Sequence, residues 1–205
     1  MNSTDSVQVK KETFKQKVLR KMYPLIKKLG KKGKNGTVLK NEKKIAPSSS
    51  FFDLEVVLNN SKKLHFSEFK GKKVLLVNTA SDCGYTGQYA ELQSLHEQFG
   101  DSIRIIAFPA NDFAGQEKGN DKEISSFCQV NYGVTFPVAS KGVVLKKAEQ
   151  QQVFRWLTHK TLNGWNDHEP DWNFSKYIID GKGALTHYFG PSISPLDDDF
   201  LASLE

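Results

Sequence analysis

The 205-residue sequence predicts an α/β domain, a central mixed β-sheet flanked by helices, behind a basic N-terminal extension. Three observations lead there. Between Lys73 and Phe108 an apolar run, an amphipathic helical repeat and a second apolar run follow one another, the pattern of a strand, helix and strand crossover with a parallel pair. Near the C-terminus two apolar segments flank Gly181-Lys182-Gly183, a hairpin signal. The charge is also split. Residues 1–47 hold 14 basic side chains against Asp5, Glu12 and Glu42, a net +11, while the remainder holds 15 basic and 20 acidic groups, a net −5.

Taken in order, the extension is Lys-rich and of low complexity, with Gly30, Gly33 and Gly36 among polar residues and Pro47-Ser48-Ser49-Ser50 closing it. Such composition buries too little apolar surface to offset its ordering entropy, so residues 1–47 are expected to be mostly solvated and disordered, ahead of a folded unit at 48–205. Within it Phe14, Val18, Met22, Leu25 and Leu29 share one face of a potential basic amphipathic helix, suited to a membrane surface or a partner. Pro24 is expected to disrupt that helix.

From Phe51 onward short apolar runs alternate with amphipathic stretches. Lys73 to Thr79 (KVLLVNT) carries a continuous apolar run at Val74 to Val77 and is bounded by Gly71 and Ser81, which suits a strand buried on both faces. Tyr89, Leu92, Leu95, His96 and Phe99 recur at helical spacing until Gly100. Ile103 to Phe108 reads as the next strand. Asp121 to Tyr132 and Glu149 to Thr158 read as helices, Asn173 to Ile179 and Ala184 to Phe189 as the hairpin, and a last helix starts at Pro195 with Asp197, Asp198 and Asp199 favoured in its first turn. A crossover followed by a hairpin and a closing helix is a thioredoxin-like arrangement.

Several classes are excluded. No stretch approaches the roughly 20 apolar residues of a membrane-spanning helix. Cys83 and Cys128 alone make neither a disulfide scaffold nor a zinc site of cysteine pairs. His159, His168 and His187 are too widely spaced for a metal site, so no metal or cofactor is expected. The basic arm could attract anionic lipid, but the body carries no nucleic-acid surface. The arm also lacks a secretory apolar core and, with one arginine, resembles no transit peptide.

The chemistry points to Cys83. It stands between the first long strand and the helix, in Cys83-Gly84-Tyr85-Thr86, where backbone amides and the helix dipole stabilise an anion. The spacing is that of a Cys-x-x-Cys redox motif with Thr86 in the second position, so a resolving partner must come from elsewhere. Taken alone, Cys83 is equally readable as a buried, inert thiol.

Around it the residues resemble the glutathione peroxidase family. Asn78-Thr79-Ala80-Ser81-Asp82-Cys83-Gly84-Tyr85-Thr86-Gly87-Gln88-Tyr89 is similar to that family's NVASxCGxTxQY segment, Phe108 to Gly119 to FPCNQFGxQEPG, and Trp172-Asn173-Phe174-Ser175-Lys176-Tyr177 to WNFxKF. The three segments fall in the family's order across residues 50 to 205, and the arm lies outside them. The resemblance implies reduction of hydroperoxides by Cys83, supported by Gln116, Trp172 and Asn173, an indole and two amides that donate hydrogen bonds without fixed charge. By composition alone Trp172 reads as a core aromatic, and Gln116 and Asn173 as loop residues.

The resemblance also implies a resolving thiol. Cys128, the only other cysteine, lies where thioredoxin-using members carry theirs, although eight residues before Phe136 rather than seven. The alternative is a buried structural cysteine. Asp82 stands where the family often has Lys or Arg, and its carboxylate would oppose a thiolate nearby. Ala110 replaces the family's third common cysteine. With only Arg104 and Arg155 in the body to grip glutathione carboxylates, thioredoxin or a similar dithiol is the expected reductant, with glutathione as the alternative. The short Pro137 to Glu149 connection lacks the insertion of tetrameric members, so a monomer is expected. Asn173-Phe174-Ser175 matches a glycosylation sequon; a glycan there would block the site, which favours a cytoplasmic setting. Two competing readings are a thiol-disulfide exchanger using Cys83 and Cys128, and an adaptor docked by its arm on an inactive fold.

Overall fold

A computed structural model describes residues 11–205. Its central sheet is built from β1 (Val38–Lys40), β4 (Lys73–Thr79), β5 (Ile103–Pro109), β6 (Lys176–Ile179) and β7 (Leu185–Phe189), in the spatial order β1-β7-β6-β4-β5. β4 and β5 are parallel, with Lys73 opposite Ile103 and Thr79 opposite Pro109, and every other pairing is antiparallel. A small hairpin of β2 (Glu55–Val57) and β3 (Lys63–His65) stands apart. The mixed sheet flanked by helices is thioredoxin-like, as the sequence predicts.

Alternation along the buried strands divides the core into two layers. Leu75 and Val77 of β4, with Ile103, Ile105 and Ala107 of β5, face one layer. There they meet α2 (Gln88–Phe99) and α3 (Asp121–Tyr132) through Tyr89, Leu92, Leu95, Ile124 and Phe127. Val74, Leu76, Ile106 and Phe108 face the other, filled by Phe51, Phe66, Phe154 and Trp156. The last two belong to α4 (Gln152–Thr158), which α5 (Lys160–Asn163) follows. Burial on both faces explains why β4 and β5 read as continuous apolar runs.

Sequence boundaries hold where local signals are strong. The α3 helix begins at a capping box of Asn120 and Glu123 and ends on Gly133, whose φ of 65° supplies the left-handed C-cap. The hairpin strands are shorter than expected, at Lys176–Ile179 and Leu185–Phe189, because the backbone of Asn173 to Ser175 turns to serve the site. The closing helix α6 (Asp198–Ala202) starts three residues after Pro195.

Residues 11–47 depart from the expectation of a disordered arm. Phe14–Gly30 forms α1, opened by a capping box of Thr13 and Gln16, and it runs through Pro24. Pro24 is exposed, so water can take the carbonyl its missing N–H leaves free. Beyond α1 the chain joins the sheet: β1 pairs with β7, the Gly190 N–H donates to Thr37 O at 2.7 Å, and the Ser192 N–H to Asn35 O at 2.8 Å. The boundary expected at residue 47 therefore falls inside one continuous fold. Residues 1–10 of the expected arm lie outside the described residues.

Candidate active site

β4 ends at Thr79 and the chain crosses Ala80 to Gly87 before α2 begins, so the parallel strand delivers Cys83 to the carboxyl edge of the sheet. Thr86 fixes this loop. Its Oγ1 accepts from the Cys83 N–H at 3.1 Å and lies 2.9 Å from Ala80 O and 2.7 Å from Cys83 O, the hydroxyl proton being shared between those two carbonyls. The residue in the second position of the redox-like motif is thus a clamp on the turn.

The Cys83 side chain is buried, and its Sγ accepts from the Tyr85 N–H at 3.4 Å. Asn173 and Trp172 face the sulfur as side-chain donors, and the Gly84 N–H joins them. Gln116 enters through Asn173, whose Nδ2 donates to Gln116 Oε1 at 3.0 Å. Gln116 is held in turn by its own backbone, because the Asp82 N–H donates to Gln116 O at 3.0 Å. Trp172 is half-buried, with its ring 5.3 Å from that of Phe113. The structure therefore brings the four sequence-predicted residues Cys83, Gln116, Trp172 and Asn173 together.

Burial pushes the Cys83 thiol up to about 11, against the pull of the donors just named, led by the Tyr85 amide. Of the two opposing pulls in the sequence, the helix end lowering the pKa and Asp82 raising it, neither sets the direction here. Desolvation of an anion outweighs a few hydrogen bonds, and α2 begins only at Gln88. Asp82 is not among the groups that shift Cys83. Its carboxylate turns outward to α1, where Oδ1 accepts from Gln16 Nε2 at 2.6 Å.

Cys128 lies on α3, buried and free like Cys83, and burial lifts its thiol to about 12. Both cysteines belong to the same core layer, with the Tyr89 hydroxyl against Cys128. They sit in different elements, and neither is paired.

Sequence reasoning missed the scaffold that aligns these groups. Asn78, the polar residue near the end of an otherwise apolar strand, donates from Nδ2 to Trp172 O at 3.1 Å and accepts at Oδ1 from the Ser175 N–H at 3.0 Å. Between them Phe174 sits at φ 69°, a conformation unfavourable for a bulky residue, with its N–H on Asn78 O. The signals available were the polar Asn78 at the end of the apolar run and its place at the head of the segment that carries Cys83. The Ser81 hydroxyl donates to buried Glu117 at 2.9 Å, joining the first two motif segments. His168 is no part of the donor set: its Nε2 lies 2.9 Å from Asp171 Oδ2 and its ring packs on Tyr188.

A glutathione peroxidase family model matches residues 51–158. This chain belongs to the glutathione peroxidase family. The glutathione peroxidase homolog BsaA of Staphylococcus epidermidis is 39% identical over 147 residues, covering 71% of this chain and 92% of the relative. Glutathione peroxidase-like peroxiredoxin 2 of Saccharomyces cerevisiae is 37% identical over 149 residues, covering 72% and 91%. The crystal structure of Trgpx in apo form superposes with a TM-score of 0.57 at 30% identity, over 77% of this chain and 96% of that one. A thioredoxin-family thiol:disulfide interchange protein of Chlorobium tepidum, at 15% identity and a TM-score of 0.55 over 79% and 98%, shares the fold alone. As a member of this family the chain is a thiol peroxidase.

Proposed function

We propose that this peroxidase reduces hydrogen peroxide and organic hydroperoxides at Cys83, with Gln116, Trp172 and Asn173 as its hydrogen-bonding support. The observation that carries the reading is the convergence on one sulfur of a backbone amide, an indole and a side-chain amide, none of them charged. The sulfur attacks the terminal peroxide oxygen, the S–O bond forms and the O–O bond breaks. The thiol proton ends on the departing oxygen, so Cys–SH and ROOH become Cys–SOH and ROH. Uncharged donors stabilise the developing charge on sulfur and on the leaving oxygen. Asn173 Oδ1, buried with no partner among the described residues, is an acceptor for the peroxide hydroxyl.

The sulfenic acid is then captured by Cys128, forming the S–S bond and releasing water. A dithiol exchanges with that disulfide and leaves both cysteines reduced. Among the described residues no arginine is one of the groups acting on Cys83, which supports thioredoxin or a similar dithiol protein, with no glutathione carboxylates to grip, as the reductant. No helix among the described residues is long and apolar enough to cross a membrane. We take the enzyme to be a cytoplasmic monomer.

The test combines one variant with one mass measurement. Cys83→Ser is expected to abolish peroxide turnover, and retained turnover would sink the reading. One equivalent of hydrogen peroxide added to the reduced enzyme is expected to remove two hydrogens, with peptide mapping linking Cys83 to Cys128. A single added oxygen on Cys83 with no link would keep the peroxidase and discard Cys128. Insulin disulfide reduction with no response to peroxide would select a thiol-disulfide exchanger instead.

A further inference from the structure

The helix α1 has an inner and an outer side. Gln16 and Tyr23 are buried against the domain, with Leu19, Ile26, Lys27 and Gly30 half-buried beside them. The apolar stripe is on the other side: Phe14, Val18, Met22, Leu25 and Leu29 are 84%, 38%, 46%, 54% and 66% exposed. These five are nearly half of the eleven exposed large apolar side chains among the described residues, so they form a patch and not a scatter.

Charge frames the stripe. At helical spacing Lys17, Lys21 and Lys28 run along one edge and Lys15 along the other, all exposed. None of the four has an acidic partner among the described residues. The single acidic residue of 11–32, Glu12, is turned inward, accepting from the Tyr132 hydroxyl at 2.7 Å and pairing with Arg20 at 3.2 Å. The outward face thus presents apolar side chains between cations.

We propose that this face docks on an anionic lipid bilayer surface. Phe14, Val18, Met22, Leu25 and Leu29 enter the acyl boundary, and the lysines on either edge meet lipid phosphates. An apolar centre with cations on both edges matches the layering of a bilayer interface, acyl chain below and phosphate alongside. The helix is already folded, so docking carries no cost of ordering it. It is also tied to the catalytic loop: Gln16 Nε2 donates to Ser81 O and to Asp82 Oδ1, Ile26 packs on Gly84, and the Tyr23 ring lies where a side chain at Gly87 would stand. Docking therefore holds the Cys83 loop behind one helix, about 10 Å thick, at the membrane. The proposal stands on α1 alone and is read by binding, so it and the peroxidase reading fail separately.

The experiment is co-sedimentation of the full chain with vesicles of phosphatidylcholine alone or of equimolar phosphatidylcholine and phosphatidylglycerol. Binding is expected with the anionic vesicles, weakened by salt. Met22→Asp with Leu25→Asp should reduce it by roughly tenfold or more, and Lys21→Glu with Lys28→Glu by roughly tenfold. Hydrogen peroxide turnover should be unchanged in both double variants, showing that they fold. Absence of binding to anionic vesicles, equal binding to neutral ones, or binding indifferent to Met22→Asp with Leu25→Asp would each overturn the proposal. So would a lipid-free dimer of the wild type that the same double variant converts to monomer, since the stripe would then be covered by a second copy.

Discussion

Cys83 shows how one residue's surroundings set its chemistry. The burial that protects the sulfur keeps it protonated near neutral pH, and the donors around it act only as negative charge develops. The thiolate is the species that alkylates, so the rate of iodoacetamide labelling at Cys83 should rise about tenfold per pH unit from neutrality and level off near 11. Asn173→Ala removes a donor to the sulfur, and a hydrogen bond to a charged group is worth about 1.5–3 kcal/mol. The levelling point should therefore move upward by about one to two pH units. Labelling that is already flat below pH 8 would mean that the resting sulfur is a thiolate and the site is open. At this scale the sequence was informative about identities and poor about environment. The segments around Cys83, Gln116 and Trp172-Asn173 pointed to four side chains that the fold brings together. The direction of the Cys83 shift stays open in the sequence, where the helix end and Asp82 pull oppositely, because desolvation depends on what packs over the loop, and Ile26 and Tyr23 come from a segment expected to be disordered.

Among the elements, α3 carries the next question, because a disulfide requires Cα atoms within about 7 Å and Cys128 sits inside a regular helix. The helix is anchored at both ends. Its start has the Asn120 capping box, and its end is held by the residue just before the α1 cap, where the Glu12 N–H donates to Asn131 Oδ1 at 3.0 Å and the Tyr132 hydroxyl donates to Glu12. If Cys128 resolves the sulfenic acid, α3 must unwind locally, and loosening its last turn should speed that step. Tyr132→Phe removes the hydroxyl bond and is expected to accelerate disulfide formation about fivefold while leaving the initial oxidation of Cys83 unchanged. Stopped-flow oxidation followed by quenched mass analysis separates the two steps, and an unchanged disulfide rate would argue against unwinding. Helix α1 itself was half legible. Its apolar spacing was visible, but the side it buries is made by Gln16 and Tyr23, which no hydrophobic periodicity singles out. Pro24 misled because a proline on the solvent side costs less than one in a packed face.

For the whole molecule, the crossover of β4, α2 and β5 could be read almost residue by residue, since two-sided burial writes an unbroken apolar run. What could not be read was where the domain begins. β1 is only three residues long, lies in a Lys-rich stretch, and has its partner β7 some 150 positions away, so nothing local marks it. Its weight in the fold nonetheless appears in the bonds it brings: Gly190 to Thr37, Ser192 to Asn35, the Asn41 N–H to Thr186 O at 2.8 Å, and Asn41 Nδ2 to Leu185 O at 3.1 Å. Two truncations should therefore behave differently. Removing residues 1–32 takes away α1 and leaves the sheet whole, so a monomer is expected to persist. Removing residues 1–47 also strips at least these four hydrogen bonds together with the β1–β7 pairing, each bond worth about 1 kcal/mol net, and for a chain of this size 1 kcal/mol moves Tm by about 2–4 °C. The longer truncation should melt about 10 °C below the shorter. It should also associate, because the uncovered β7 edge offers unpaired backbone groups to another chain. Thermal melts with light scattering decide the matter. Two truncations that melt together and elute together as monomers would make β1 a dispensable appendage, and the edge of the sheet would then lie at β7.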